Sequence, residues 1–213
     1  MHSPVSIITP LAFEAKRIRK VAQTHQWPMV VCGPGSEGIG RLADQCQFPT
    51  GATVLLAGLA GGLNPELQPG DLVIAGEVID ECGTSLTPTL RLPEATGRVI
   101  STNQICHTAA EKEQLRARSG ADVVDLESAA FAALAVDRGW RGGILRGISD
   151  DASTALPADC SSWTAPNGHL KPLALLWSMV RHPALALQLP TLGRQSTMAM
   201  EAVGHGLLTL LKS

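Results

Sequence analysis

Two acidic clusters hold most of the chemistry this chain could do. They are Asp125-Leu126-Glu127, followed by Ser128-Ala129-Ala130, and Asp150-Asp151, preceded by Arg146-Gly147-Ile148-Ser149. Asp125 reads as the N-cap of a helix and places Glu127 in the first turn. There the positive end of the helix dipole favours an ionised carboxylate able to accept hydroxyl hydrogen bonds. Asp150 closes an apolar strand at the edge where α/β sheets bind ligands, and burial beside Asp151 would favour its protonated form. An ionised hydroxyl acceptor beside a protonatable acid suits a sugar whose leaving group needs a proton. The same residues also serve as plain structural ends, Glu127 favouring its helix terminus and Asp150 capping a turn. On pattern alone both readings stand.

The elements that would position these carboxylates alternate in type. Val5 to Ile8 is a short β-branched run, and Ala12 to Thr24 follows with small or apolar residues at helical spacing. Met29 to Cys32 leads through the Gly-rich run Gly33 to Gly40 into a helix ending about Cys46. Thr53 to Gly58 and Asp71 to Ile79 read as buried strands around turn residues Pro65 to Gly70, and Glu81 to Gly97, with Pro88 and Pro93, as loop. Val99 to Ser101, Ala109 to Arg118, Val123 to Val124, Leu126 to Arg138 and Gly142 to Ile148 then read as strand, helix, strand, helix, strand. This predicts an α/β protein, a three-layer αβα sandwich around a central twisted mixed sheet. Residues 1–213 read as one domain, with 152–213 a terminal loop and helical extension broken near Pro183, Pro190 and Gly193. Its apolar residues, such as Leu173, Leu176, Trp177 and Leu185, suit core packing, an oligomer interface or the border of a greasy channel.

Composition removes several function classes. A chain of 213 residues, 45% hydrophobic and 17% charged, fits one core. Its formal charge of -2 lacks the basic excess that holds proteins onto phosphate backbones, so nucleic acid is not an expected partner. Five scattered cysteines without a C-x-x-C pair argue for a reducing cytoplasm and against a disulfide framework or thiolate metal site. The six histidines show no ligand spacing, so neither metal nor cofactor is expected. Met1-His2-Ser3-Pro4 does not open a signal peptide, and the uncharged stretch Gln45 to Pro65 is interrupted by Pro49 and several glycines, so no membrane span is expected. Gly33, Gly35 and Gly38 match G-x-G-x-x-G after a strand, but Thr53 to Gly58 lacks the acidic residue a dinucleotide ribose requires. A Gly-rich strand-to-helix turn accounts for the run.

Ala57-Gly58-Leu59-Ala60-Gly61-Gly62-Leu63 with Gly70-Asp71-Leu72-Val73, then Asp125 to Ala130 and Arg146 to Asp150, resemble the nucleoside phosphorylase superfamily. They are most similar to its methylthioadenosine/S-adenosylhomocysteine nucleosidase branch, in order from about Val5 to Asp151. The resemblance implies that Asp150 protonates purine N7, Glu127 binds the ribose hydroxyls and Glu14 orients the attacking water. It also implies substrate contacts by Leu59, Ala60, Gly61, Leu126, Arg146 and Ser149, backbone contacts to adenine at Gln104-Ile105, and assembly as a homodimer or higher homo-oligomer. Leu59 replaces the usual serine before Ala-Gly-Gly, which makes the sugar pocket more apolar. The G-D-P-x-R phosphate signature of the phosphorylases is absent near Pro10 to Arg17, which favours water as nucleophile. Pro172 to Arg194 is similar to hopanoid-associated members that remove adenine from adenosylhopane. The function implied is hydrolysis of a 5′-modified adenosine to release adenine. The alternatives are phosphorolysis, with Arg17 or Arg41 recruited to phosphate, and a nucleoside-binding module without turnover.

Overall fold

Thr53 to Gly62 forms a central strand whose side chains alternate between two cores. Val54 and Leu56 face one, Leu55 and Ala57 the other. The period of two follows from the pleat, and apolar residues on both faces require cover on both sides. The computed structural model describes residues 5–46, 48–92, 95–183 and 185–210. It contains β1 (Val5–Thr9), α1 (Ala12–Thr24), β2 (Met29–Val31), α2 (Gly35–Gln45), β3 (Thr53–Gly62), β4 (Leu72–Ile79), β5 (Ser85–Leu86) and β6 (Gly97–Ser101). There follow α3 (Ala109–Ser119), β7 (Val123–Asp125), α4 (Ser128–Asp137), β8 (Arg141–Asp150), a 3-10 turn (Cys160–Trp163), α5 (Pro172–Arg181) and α6 (Leu185–Leu210).

On one side α2 and α4 supply Ile39, Leu42, Phe131, Ala132 and Ala135 to the core with Ile8, Val54 and Leu56. On the other, α1 and α6 supply Ile18, Ala22, Met200, Val203 and Leu207 against Ile7, Leu55, Ile74 and Leu145. The three-layer expectation therefore holds. The sheet is mixed: β1, β2, β3 and β8 pair in parallel, whereas β8 meets β4, and β7 meets β3, antiparallel. Since β4, β6 and β7 also pair in series, the strands β3, β8, β4, β6 and β7 close on themselves. Closure brings the ends of β3, β7 and β8 together. At Gly147 a Cβ would stand 2.3 Å from Ala199 O, so the absence of a side chain lets α6 rest directly on β8.

Three expectations change. The segment 81–97 holds a two-residue strand, β5, besides loop, while Pro93 and Glu94 lie outside the described residues. The terminal extension breaks near Pro183, but α6 continues through Pro190 and Gly193. Pro190 lies in the second turn, where few backbone bonds precede it, and the apolar face from Ala199 to Leu207 anchors the rest on the sheet. The helix after β7 starts at Ser128 rather than Leu126, which makes Glu127 the N-cap. Met1 to Pro4 and Leu211, included in two of the expectations, also lie outside the described residues.

Candidate active site

At the closed end of the sheet, α1, the junction of β7 with α4, and β8 deliver carboxylates into one cavity of about 930 Å³. Glu14, Glu127 and Asp150 line it, together with Leu59, Ala60, Gly61, Gln104, Ile105, Leu126 and Ser149. Arg146 does not line it. Its side chain is fully buried behind the carboxylates, so it supports them rather than reaching a ligand.

Asp150 is aimed by an irregularity. The β3/β8 register shifts between Ala60 and Gly61, so that Gly61 pairs with Asp150, and such bulges re-aim side chains. Ser149 Oγ lies 2.6 Å from Asp150 Oδ1, and Lys112 Nζ donates to Oδ2 at 2.5 Å. Lys112 also donates to the carbonyls of Asp151, at 2.6 Å, and Thr154, at 3.1 Å. The expected like-charge neighbour is not there. Asp151 turns away, its Oδ1 accepting from Ser153 and Thr154, which draws its carboxyl below the usual range even against burial. The charge beside Asp150 is a cation.

Asp125 is the hub beneath Glu127. Its Oδ1 accepts from Ser101 Oγ at 2.6 Å and from the Ser128 backbone N–H at 3.1 Å, so it caps α4 from two residues before the N-cap. Arg146 Nη2 lies 2.6 Å from Asp125 Oδ2 and 3.2 Å from Glu127 Oε2. Glu127 Oε1 accepts the backbone N–H of Gly35 at 2.8 Å. Burial pushes the Glu127 carboxyl up, against Arg146, which pulls it down, and Asp125, which adds to the rise. The expectation of a dipole-stabilised carboxylate is thus replaced by one held by a guanidinium and an amide.

Glu14 sits in the first turn of α1, and its two oxygens accept from the Leu11 N–H at 2.7 Å and the Leu59 N–H at 2.8 Å. Burial raises its carboxyl to about 8, although Leu59 and Arg146 oppose the rise. A Cβ on Gly58 would stand 2.7 Å from Arg146 Nη1 and 2.9 Å from Glu14 Oε1, so only glycine lets these two groups converge. Nη1 is buried without a hydrogen-bond partner.

Two parts of the site escaped the sequence reading. Lys112 shares the inner face of α3 with Leu115 three positions on, both buried, and that spacing was the available signal. The Gly33-Pro34-Gly35 run does serve an anion through a helix N-terminus, but the anion is the Glu127 carboxylate. Among the described residues no group of His, Cys, Asp and Glu is arranged to hold a metal ion, and no helix is long and apolar enough to cross a membrane.

The profile of the phosphorylase superfamily matches residues 89–181, a stretch that contains Glu127 and Asp150 but begins well after Glu14. No curated protein matches the sequence. Among solved structures, a putative 5′-methylthioadenosine/S-adenosylhomocysteine nucleosidase from Francisella philomiragia is similar with TM-score 0.68 at 15% identity, covering 99% of both chains. Futalosine hydrolase of Helicobacter pylori has TM-score 0.68 at 14% identity, covering 99% of this chain and 97% of its own. A nucleosidase of the first kind from Colwellia psychrerythraea, in complex with adenine, has TM-score 0.68 at 14% identity, covering 100% and 96%. The resemblance drawn from the motifs therefore holds in fold and along 89–181.

Proposed function

Starting from a chain that resembles the phosphorylase superfamily and has the fold of these nucleosidases, we propose that it hydrolyses the N-glycosidic bond of a 5′-modified adenosine and releases adenine. The observation that carries the reading is the convergence of Glu14, Glu127 and Asp150 on one cavity from three separate elements. Asp150, a carboxylate paired with Lys112 in the free site, takes up a proton from solvent and passes it to purine N7 as the bond to the sugar breaks, and Lys112 stabilises the carboxylate that is restored. Glu127, fixed by Gly35 and Arg146, accepts hydrogen bonds from the ribose hydroxyls and keeps negative charge near the cationic sugar. Glu14 and the unpartnered Nη1 of Arg146 flank the space above Gly58 without forming an ion pair. Of the two, Glu14 alone lines the cavity, which suits its carboxylate to accept a hydrogen bond from the attacking water while the buried guanidinium stays behind it. Leu59, Ile105 and Leu126 give the cavity apolar walls suited to the sugar and to an uncharged 5′ group. The protein acts as a homodimer or higher homo-oligomer in the cytoplasm under this reading.

Water is favoured over phosphate by the cations. Lys112, the one Lys or Arg lining the cavity among the described residues, is committed to Asp150. Arg17 stacks over Phe13, and Arg41 donates to Pro166 O at 2.7 Å. The test is base release from adenosine, inosine, methylthioadenosine and a 5′-hydrophobic adenosine analogue, with and without phosphate. Release should be independent of phosphate and should fall on the order of 10² to 10⁴-fold in Asp150→Asn, with nucleoside binding retained. Phosphate-dependent release would select the phosphorylase instead, and tight binding with no release the binding module.

A further inference from the structure

α5 is built inside out. Its apolar residues Leu173, Leu176, Trp177 and Val180 fall at helical spacing on one stripe, and that stripe is 56% to 81% exposed, while its one buried residue is Ser178. A helix that packs on a core hides such a stripe and shows its serine. Ser178 is turned inward because its hydroxyl accepts from Trp163 Nε1 at 2.8 Å and donates to the Asp159 carboxylate. Those two bonds hold the apolar stripe toward solvent.

Asp159 is bound from the inner side of α5 by Ser178, and the charges that follow it along the chain have one sign. From Cys160 to Met200 the sequence contains no Asp or Glu, whereas Lys171, Arg181 and Arg194 are present, in a chain whose net charge is -2. Lys171 and Arg181 bracket α5, and the Arg181 guanidinium lies 5.6 Å from the centre of the Trp177 ring. Just beyond, Leu187 at the start of α6 is 83% exposed. An apolar stripe with an interfacial Trp, flanked by cations and with its one neighbouring carboxylate, Asp159, held on the opposite side of the helix by Ser178, is the pattern that lies in the headgroup layer of an anionic bilayer. A second copy of the chain is a poorer occupant, because an antiparallel two-fold pairing of α5 would bring the Lys171 end of one copy against the Arg181 end of the other, cation against cation.

We propose that the outer face of α5 docks on an anionic lipid surface. The consequence for the cavity is direct, since Trp163, which holds Ser178, ends the 3-10 turn whose Cys160 and Ser161 form part of the cavity wall. Docking thus places this wall beside the bilayer. Only the use of that placement, delivery of a substrate with an apolar 5′ group out of the membrane, rests on the nucleosidase reading.

Co-sedimentation of the full chain with vesicles of phosphatidylcholine alone, and of equimolar phosphatidylcholine and phosphatidylglycerol, tests it. Binding is expected to the mixed vesicles, with a blue shift of Trp emission that is lost in Trp177→Phe. Each of Lys171→Gln and Arg181→Gln should weaken binding about fivefold, as should the loss of one screened charge pair. Leu173→Ser, Leu176→Ser and Val180→Ser combined should weaken it by more than about tenfold, since each buried methylene contributes about fourfold. Should that triple variant fail to fold, the two charge variants still decide the question. Base release from methylthioadenosine, followed in parallel, should be unchanged in all of them, so a chain that binds vesicles but releases no base keeps the docking and loses the nucleosidase reading. Folded protein that ignores both vesicles overturns the docking. So does a dimer that the triple substitution dissolves in the absence of any lipid binding, which would give the face to a second copy.

Discussion

Lys112 Nζ lies 2.5 Å from Asp150 Oδ2, and the two side chains are only 1% and 4% exposed. A cation buried this deeply next to the proposed acid is costly to leave unpaired, and α3 brings it there through the face it shares with Leu115. Replacing Lys112 by Met should destabilise the fold by about 3 to 5 kcal/mol, the range for breaking a buried pair on one side. Adding Asp150→Asn to that variant should recover much of the loss, because neither buried charge then remains. Urea denaturation of the two single variants and the double variant measures the coupling. Additive losses would mean that the pair does not act as a unit.

Glu14 should make activity and stability move in opposite directions with pH. Its carboxyl is raised from an ordinary 4.5 to about 8 in the folded chain, so between those values the folded state holds a proton that the unfolded state has lost. The stability this contributes is complete below the unfolded value and is lost as pH rises toward about 8, at up to ~1.4 kcal/mol per pH unit. As the proposed base it becomes competent only on ionising, so base release should rise through the same interval. Glu14→Gln should flatten the stability profile between about pH 5 and 9 and remove the rising limb of the rate. A rising limb that survives in Glu14→Gln would assign it to another group.

Glu127→Gln should damage ribonucleosides far more than 2′,3′-dideoxynucleosides, because its proposed partners are the sugar hydroxyls. A charge-assisted hydrogen bond contributes roughly 1.5 to 3 kcal/mol, about ten to more than a hundredfold in kcat/KM. Equal losses on both substrates would return Glu127 to a purely structural part, held between Gly35 and Arg146.

Leu59 lines the cavity where the resembling enzymes carry a serine, and an apolar wall has no partner for a desolvated charge. Among 5′-alkylthioadenosines, kcat/KM should climb about fourfold per methylene that the pocket buries. S-adenosylhomocysteine, with its charged tail, should be the poorer competitor, and Leu59→Ser should narrow the gap. Competition assays in one mixture read both effects, and preference for S-adenosylhomocysteine by the unaltered chain would point to an ordinary polar 5′ site.

The alternation of short β-branched runs with amphipathic segments determined the α/β class, because a strand apolar on both faces, as in Thr53 to Gly58, has to be covered on both sides. Local spacing likewise placed Asp125, Glu127 and Asp150 at the ends of their elements. What it could not decide is who stands next to whom. The sequence put Asp151 beside Asp150, yet the register shift at Gly61 and the packing of α3 put Lys112 there instead. Arg146 reads as a ligand contact in a linear motif, but closure of the strands buries it beneath Asp125 and Glu127. The Gly33 to Gly38 run, ambiguous as a motif, acquires its partner only when α2 meets the end of β7. The stripe on α5 reads as core, oligomer interface or channel border alike because periodicity measures spacing and not direction, and the turn toward solvent is set by Ser178 through Trp163 and Asp159. Element types follow from neighbours along the chain, whereas charge environments depend on contacts between residues far apart in sequence, which only the folded chain supplies.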